Sequence, residues 1–464
     1  MELRIYTNFD SHSILYFNEV SVNLKYQSIL DTFQFKVYFN PDSSTDRLVF
    51  KPAMYYTCEV YHNDILLITG TILSHSFKSN EDANWVLISG YSKSGVFEDC
   101  YLPPVNGVNQ TWSAGATLYQ VTSDICKLFG IGLDVDDIVV GDCNKPYNHP
   151  INYVTEGNHP TIKKFLVDLA AEHNVIISHQ PNGNVLLTRT MVNESKPTQL
   201  LKPESNLPID FANQDISNGT KSMQSLTRQL FPVIVSNSQK IFSPIPVFDF
   251  TFVRGQGNYP ATEMDLQFNG QKMFTDIFVV GQKAIQYDQI GIPTNESGNS
   301  VDNSNSPLNN PYVPKKSFIE QGGTFRPVIE AMEVGDDNTV QNTARAKLGA
   351  DLQGMTCTIQ IKGWTLTNPR TGNEELARPN TIVTITNKEL YLFAKSKWFV
   401  TEVNFNGNEK GEWATLVCVL PDCYSMDDVT QNVFNLVDTD SNLGSFSPKI
   451  DLPLKLTIPE NPPI

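Results

Sequence analysis

Long apolar segments are missing from this sequence of 464 residues. No run approaches the roughly eighteen consecutive apolar residues of a membrane helix. The first ten residues read MELRIYTNFD and lack the basic segment, followed by an apolar one, that begins a signal peptide. We therefore expect no membrane segment, and we expect synthesis in a cytosol.

Paired cysteines are missing too. The chain has seven cysteines, an odd set scattered without a CxxC unit. They are Cys58, Cys100, Cys126, Cys143, Cys357, Cys418 and Cys423. Such a set predicts reduced thiols that pack as small core residues. Cys418 and Cys423 are close in sequence, but a zinc site would need a second pair or a nearby histidine, so we predict none.

Catalytic signatures are absent. None of the seven histidines belongs to an HExxH pair, and the sequence has neither a GxSxG elbow nor a phosphate-binding glycine loop. Residues 254–257 lack the third glycine of a dinucleotide site and predict a turn. Asp134, Asp136, Asp137 and Asp142 could gather around a cation, but the glycine and terminal glutamate of a calcium loop are missing. We predict no catalytic, cofactor-binding or metal-binding residue and no enzyme; a carboxylate pair for sugar cleavage is the alternative left open.

Basic side chains are outnumbered. The sequence has 34 Lys and Arg against 50 Asp and Glu, a formal charge of −16. A surface that grips nucleic acid neutralises phosphates with basic residues. The charge therefore argues against such a surface, although nucleic acid could still pass by without binding.

What the sequence does contain favours strands. It has 17 Tyr, 26 Phe and many Thr and Val, and its length allows two to four domains. Residues 1–100 hold short strand-like runs at 14–17, 20–24, 33–39, 55–61, 66–72 and 85–89. In 33–39 apolar and polar residues alternate, and Asn63-Asp64 is typical of a hairpin turn. We predict that residues 1–100 form a first domain, a small antiparallel barrel or sandwich.

Residues 101–205 change to helical spacing. Leu118, Val121 and Ile125 predict one helix that ends before Gly130, and Thr161 predicts the start of a second that ends near Asn174. Runs at 175–179 and 185–189 then flank a Pro-Asn-Gly-Asn turn and predict a hairpin. We predict a compact α+β insert.

Strand-like runs return in residues 206–434. They lie at 233–235, 247–253, 276–280, 356–364, 381–386, 398–405 and 413–420. Residues 338–352 predict a helix, and the polar stretch 289–314 predicts a long loop. Residues 435–464 predict an extended tail. The second β module suggests an internal duplication, although no clean sequence repeat is visible.

One phrase near the end of the first module resembles a known family. Gly90-Tyr91-Ser92-Lys93-Ser94-Gly95, followed by Glu98-Asp99-Cys100, is similar to a phrase of the Mu-type phage baseplate hub, or late-control tail protein, family. Val96-Phe97-Glu98 departs from that family's usual Asp-Leu-Val. Further matches follow in the family's order at 117–118, 161, 182–184, 279–282, 325–328, 344–346, 363–364, 379–380, 398–403, 411–413 and 420–421. Residues 222–270 and 289–314 match less and look like insertions.

The resemblance implies a fold and a function. The fold would be mainly β with the α+β insert, containing two tube-like antiparallel β-barrel domains (1–100 and 206–434) plus smaller peripheral domains. Three copies would form a pseudo-six-fold ring that joins the hexameric tail tube to the trimeric central spike of a contractile phage tail. DNA or tape-measure protein would pass through its lumen without specific binding. The implied partners are two further copies, the tail tube protein, the spike protein and other baseplate proteins in the virion.

Several assignments stay open. The net charge suggests an acidic inner wall, with simple solubility as the alternative. The tail could dock on the spike or a neighbouring subunit as an added strand, or remain undocked. Arg326 and Arg345 could pair across a subunit seam. Trp364 and Trp398 are predicted to pack in the second core.

Two alternative functions remain at this stage. A glycan-binding tail or receptor-binding protein would also be rich in strands and aromatic residues. The hub of a protein-translocating, phage-like injection system, related to the type VI spike hub, would share the architecture and differ in its cargo.

Overall fold

The computed structural model describes residues 1–7, 10–81, 84–104, 110–153, 160–189, 247–253, 260–269, 271, 276–281, 286–287, 293–294, 311–312, 327–332, 349–350, 352–368 and 372–424. Several predicted features lie outside these residues. They are the strand at 233–235, the turn at 254–257, Arg326, Arg345, the tail from 435, most of the helix at 338–352, and the loop at 289–314 apart from two short strands.

Short antiparallel strands follow one another through residues 1–100. The elements are β1 (Glu2–Tyr6), β2 (Ser11–Ile14), β3 (Glu19–Lys25), β4 (Thr32–Tyr38), α1 (Ser44–Val49), β5 (Thr57–His62), β6 (Ile65–Ser79), β7 (Asn84–Ser92) and α2 (Val96–Asp99). Asn63 and Asp64 have φ angles of 46° and 63°, which confirms the predicted hairpin turn between β5 and β6. The predictions missed β1 and α1 and placed β2 three residues too late.

The insert contains the two helices and the hairpin that its sequence predicts. It contains β8 (Thr111–Trp112), α3 (Leu118–Leu128), β9 (Leu133–Val135), α4 (Val140–Cys143), β10 (Ile151–Asn152), α5 (Ile162–Glu172), β11 (Ile176–His179) and β12 (Val185–Thr188). Thr117 and Gln120 form a capping box at the start of α3, and Gly130 takes the left-handed conformation after its end, with φ 64°. The Thr161 side chain caps α5. The apolar residues of the insert, including Leu118, Ile125 and Leu166, form a second core together with Ile29 and Phe97.

Strands dominate the remainder of the chain. They are β13 (Val247–Thr251), β14 (Ala261–Phe268), β15 (Asp276–Gly281), β16 (Gln286–Tyr287), β17 (Pro293–Thr294), β18 (Pro311–Tyr312), β19 (Pro327–Met332), β20 (Met355–Lys362), β21 (Thr365–Thr367), β22 (Glu374–Leu376), β23 (Thr381–Asn387), β24 (Leu392–Asn408) and β25 (Gly411–Val419). β13 and β14 belong to the main sheet although they lie within residues 222–270, the segment with the weaker family match.

One thirteen-stranded sheet joins the two β-rich regions. Its order is β14-β20-β25-β24-β3-β4-β7-β6-β5-β1-β2, and β23, paired with β13, branches from β24. A single apolar cluster runs beneath both parts and includes Phe35, Cys58, Trp398 and Phe405. The mainly β class with an α+β insert is confirmed. No closed barrel is present within the described part of the chain, where β2 and β14 are the ends of the main path.

The sheet contains the same strand arrangement twice. The first half-sheet runs β3-β4-β7-β6-β5-β1, and the second runs β14-β20-β25-β24-β23-β13. The hairpins β6-β7 and β24-β25 each have a bulge at the equivalent place. It lies between Ile72 and Ser74 in β6 and between Val400 and Glu402 in β24. The two half-sheets differ at one end, since β13 is parallel to β23 whereas β1 is antiparallel to β5. This repetition is what an internal duplication would produce.

Candidate assembly surface

The two half-sheets meet at an edge-to-edge contact, the pairing of β3 with β24, which we term the internal seam. Residues 402–407 of β24 lie antiparallel to residues 20–25 of β3. On the core side, Phe405 is opposite Val22 and Val403 is opposite Leu24, and all four side chains are buried. Because these rows alternate with polar residues, a shift by one residue would expose the apolar side chains, so the register is well specified.

Polar contacts cover the other face of the internal seam. Asn23 donates to Oε1 of Glu402 at 2.7 Å, and the Lys25 ammonium lies 3.6 Å from Oε2 of the same carboxylate. The Tyr26 backbone N–H extends the ladder by donating to the Thr401 carbonyl at 2.8 Å. The ion pair is partly exposed and contributes at most about 1 kcal/mol, so burial on the core side provides most of the stability.

The long strand β24 pairs with two different strands along one of its edges. Its first half pairs with β23, and its second half, beyond the bulge, pairs with β3. Trp398 in the first half is fully buried and donates to Ser396. Trp364 is also buried and donates to the Asn406 carbonyl at 2.9 Å behind the internal seam. The predicted core packing of both tryptophans is confirmed.

Two strand edges have no partner among the strands that the structure describes. The first half of β6 pairs with β5, but residues 73–79 pair only with β7 among the described strands. β14 likewise pairs only with β20 in the described part of the chain. Phe77 on β6 is 45% exposed, and Lys78 beside it and Asp265 on β14 are also exposed. Open edges of this kind are sites where another chain can add a strand.

A buried ion pair fastens the insert to the first half-sheet beside the internal seam. Nε2 of His179 lies 2.6 Å from Oδ2 of Asp31, and its Nδ1 lies 2.7 Å from the Ser28 carbonyl. Burial alone would lower the pKa of His179, but the Asp31 carboxylate and the Ser28 carbonyl outweigh it and raise the pKa. Asp31 also accepts from the Lys25 backbone N–H, which links the pair to β3.

Of the four aspartates that could have gathered around a cation, Asp134, Asp136 and Asp142 have separate hydrogen-bond partners, and Asp137 is exposed. Asp134 accepts from Asn184, and buried Asp136 accepts from Thr188. Burial raises the pKa of Asp136 to about 7. For Asp142, hydrogen bonds from Lys145 and Arg189 outweigh burial and hold the pKa below its usual value. The described residues contain no group of three or more His, Cys, Asp or Glu side chains that could hold a metal ion.

The cysteines are free thiols, as predicted. Cys58, Cys126, Cys143, Cys357 and Cys418 are buried, and Cys100 and Cys423 are partly buried. Cys357 and Cys418 are opposite each other on β20 and β25. Burial raises the pKa of the Cys126 and Cys357 thiols to about 12. Thiols protonated at neutral pH are poor nucleophiles and poor metal ligands. No helix among the described residues is long and apolar enough to span a membrane.

Comparisons with known proteins identify the fold. No protein-family model matches the sequence, and no curated protein matches it either. The chain is similar to the 43 kDa tail protein of prophage MuSo2 from Shewanella oneidensis, with a TM-score of 0.59 and 15% identity over 92% of this chain and 100% of that one. It is also similar to the tail protein from Neisseria meningitidis MC58, with a TM-score of 0.58 and 14% identity over 92% of this chain and 98% of that one. The chain therefore has the fold of these tail proteins, in agreement with its resemblance to the Mu-type hub family.

Proposed function

We propose that this chain is a structural subunit of a phage tail baseplate, the hub that joins the tail tube to the central spike. Three copies form a ring with three-fold symmetry in sequence and nearly six-fold symmetry in shape. The observation that carries the proposal is the internal seam, where two half-sheets with the same strand order lie side by side. The fold shared with two tail proteins supports it.

The internal seam supports a ring because it relates two similar units by one head-to-tail step. Each half-sheet uses a different edge at the contact, β24 of the second and β3 of the first. Repeating a head-to-tail contact generates a closed ring when the rotation between units closes. Six half-sheets, from three chains, would match a hexameric tube on one side and a trimeric spike on the other.

The polar face of the main sheet suits the lining of a channel. Its side chains alternate with the core-facing ones and include amides, hydroxyls and charges of both signs. The charged ones include Lys25, Lys36, Lys78, Lys362, Glu19, Glu263, Asp265 and Glu402, and also Arg4, Glu59 and Lys395. This face is mixed in charge, so the uniformly acidic wall that the net charge suggested gains no support from it. A mixed face without an arginine cluster binds phosphates weakly and lets DNA or tape-measure protein slide.

The proposed role is structural and not enzymatic. Three of the aspartates that might have formed a site, Asp134, Asp136 and Asp142, are bound to separate partners in the insert. The two tryptophans that might have stacked on a sugar are buried in the core. The proposal therefore places the chain in the tail baseplate, in contact with the tail tube protein, the spike protein and other baseplate proteins. The extended tail from about residue 438 is proposed to dock on the spike or a neighbouring subunit.

Two measurements test this proposal. Native mass spectrometry of the purified full chain should find a species of three times the 51.9 kDa of one chain. Gold-labelled antibodies against the chain should decorate the baseplate end of tail particles, and a variant truncated after residue 437 should lose spike attachment. Labelling on distal fibres, together with binding on a glycan array, would instead favour a receptor-binding protein.

A further inference from the structure

We infer that residues 74–79 of β6 pair, antiparallel, with β14 of a second copy of this chain, in the register that the internal seam defines. This inference rests on the proposed ring and names the surface by which its subunits join. Within one chain, the second half of β6 and the outer edge of β14 face no other described strand.

The first step is the equivalence of β6 with β24. Both strands bend at a bulge, at Leu73 in β6 and at Thr401 in β24. Counting from the bulges, Ser74 corresponds to Glu402, Phe77 to Phe405 and Ser79 to Gly407. The hairpin partners agree, since Phe77 is opposite Val86 and Phe405 is opposite Ala414. Residues 402–407 are the part of β24 that binds β3.

The second step is the equivalence of β14 with β3. β4 pairs with β7, and β20 pairs with β25 in the equivalent register. Lys36 on β4 therefore corresponds to Gln360 on β20. Glu19 is opposite Lys36, and Glu263 is opposite Gln360. Residues 20–25 of β3 therefore correspond to residues 264–269 of β14. The bulge in β14, between Ala261 and Glu263, lies before this stretch and leaves its alternation intact.

Transferring the register of the internal seam then fixes six residue pairs between chains. They are Ser74 with Asn269, His75 with Phe268, Ser76 with Gln267, Phe77 with Leu266, Lys78 with Asp265, and Ser79 with Met264, the second of each pair in the other copy. Every pair follows from backbone register alone, without reference to which side chains it brings together.

The side chains in these pairs complement each other. Phe77 and Leu266 take the places of Phe405 and Val22, which are fully buried in the internal seam, whereas Phe77 is 45% exposed in the single chain. Pairing would bury that ring.

Lys78 and Asp265 become directly opposite each other, and opposite charges in cross-strand pairs are favourable. Neither has a salt bridge within the part of the chain that the structure describes.

The occupant that fits this edge best is a second copy of the chain. The internal seam shows that a β14-like strand, β3, is accommodated beside a β6-like strand, β24. A strand from an unrelated protein would have to reproduce both the apolar row and the acidic residue opposite Lys78. Two-fold pairing of β6 with β6 would leave Lys78 without an opposite charge, because residues 74–79 contain no acidic residue.

Cysteine crosslinking of the full chain tests the register. Ser76→Cys with Gln267→Cys places one thiol on each side of the contact, on the polar face. Mild copper oxidation should produce covalent dimers and trimers on a non-reducing gel. Ser76→Cys with Glu263→Cys is the matched control, because four residues along a strand separate the thiols by about 13 Å, too far for a disulfide. Each single-cysteine variant should give no covalent oligomer.

A charge exchange gives an independent measurement. Lys78→Asp should weaken trimer formation about two- to five-fold per contact, because two carboxylates then oppose each other. Adding Asp265→Lys should restore it. Lys362→Asp, on the same face but on an interior strand, should leave association unchanged.

The outcomes separate the inference from the proposed function. A trimeric mass without the Ser76–Gln267 crosslink, or with equal crosslinking in the Glu263 control, would overturn this register and leave the hub proposal standing. A chain that stays monomeric both in solution and on tail particles would overturn both.

Discussion

The ion pair between His179 and Asp31 allows a quantitative prediction, because both side chains are almost inaccessible, at 5% and 7% exposure. Removing one partner of a buried pair leaves the other charge desolvated and costs about 3–5 kcal/mol. His179→Ala should therefore lower the free energy of unfolding by about this amount near pH 6. It should also loosen the insert, since His179 and Ser178 are the residues of β11 that hydrogen-bond residues 26–31 beside the first half-sheet.

The effect should depend on pH with a definite sign. The pKa of His179 is raised above its ordinary value of 6.5, because the Asp31 carboxylate outweighs the effect of burial. The folded protein therefore holds the proton more tightly than the unfolded chain. The stability gained in this way is complete below pH 6.5 and is lost as the pH rises through the folded pKa. The gap between the wild type and His179→Ala should shrink from pH 6 to pH 9.

Urea unfolding followed by circular dichroism, repeated at pH 6 and pH 9, measures this gap. A double-mutant cycle with Asp31→Asn should show a coupling of more than about 1 kcal/mol, as contacting charged residues do. His149→Ala, on an exposed histidine of the insert, is the control and should change little. A gap that is equal at both pH values, together with additive single effects, would refute the assignment of a charged pair.

Three further substitutions test the seam, the insert and the sheet. Phe405→Ala should lower the free energy of unfolding in urea by about 3–5 kcal/mol, because its ring is fully buried. Phe77→Ala, at the exposed equivalent position, should lower it by less than about 1 kcal/mol in the monomer. Similar losses in the two variants would contradict the difference in burial between the two rings. Asp136→Asn should change the free energy of unfolding little near pH 4 and raise it at pH 8 by on the order of a few kcal/mol. The reason is that a pKa of about 7 means that the folded protein resists losing this proton. Equal effects at both pH values would argue against a raised pKa. Gly90→Ala should lower the midpoint temperature of thermal unfolding, because the added methyl group would clash with the Thr71 carbonyl and the Phe33 ring. An unchanged midpoint would disprove that close approach.

Local signals in the sequence predicted most of the local structure. The alternation over 33–39, the Asn63-Asp64 turn and the Thr161 cap each depend on a few neighbouring residues, and each is confirmed. The strand β14 was not predicted, although its sequence carries a local signal. Met264, Leu266 and Phe268 alternate with acidic and amide residues, a period-two signal of the kind that identified β4.

The internal seam could not be predicted in the same way. It joins residues almost 400 positions apart, and nothing in the alternation of β3 says which strand will lie beside it. The ion pair of His179 is similar, because its partner lies in another module and a histidine at a strand end carries no local signal. Two β modules suggested an internal duplication, but no sequence repeat revealed the repeated strand arrangement. Phe405 matches Phe77, but Asn406 matches Lys78 and Glu402 matches Ser74, so backbone register persists where side chains have diverged.

That divergence has a physical logic if β6 and β14 pair as inferred. At the internal seam the opposite charges are those of Lys25 and Glu402, whereas Asn406 opposite Ser21 is a neutral pair. Between chains, association is bimolecular, and Lys78 opposite Asp265 would both speed encounter and penalise a shifted register. Each contact would thus have one pair of opposite charges, at a different position in the shared register. Exchanging β3 and β14 would place Lys78 opposite Ser21 and Glu402 opposite Asn269, so neither ion pair would form.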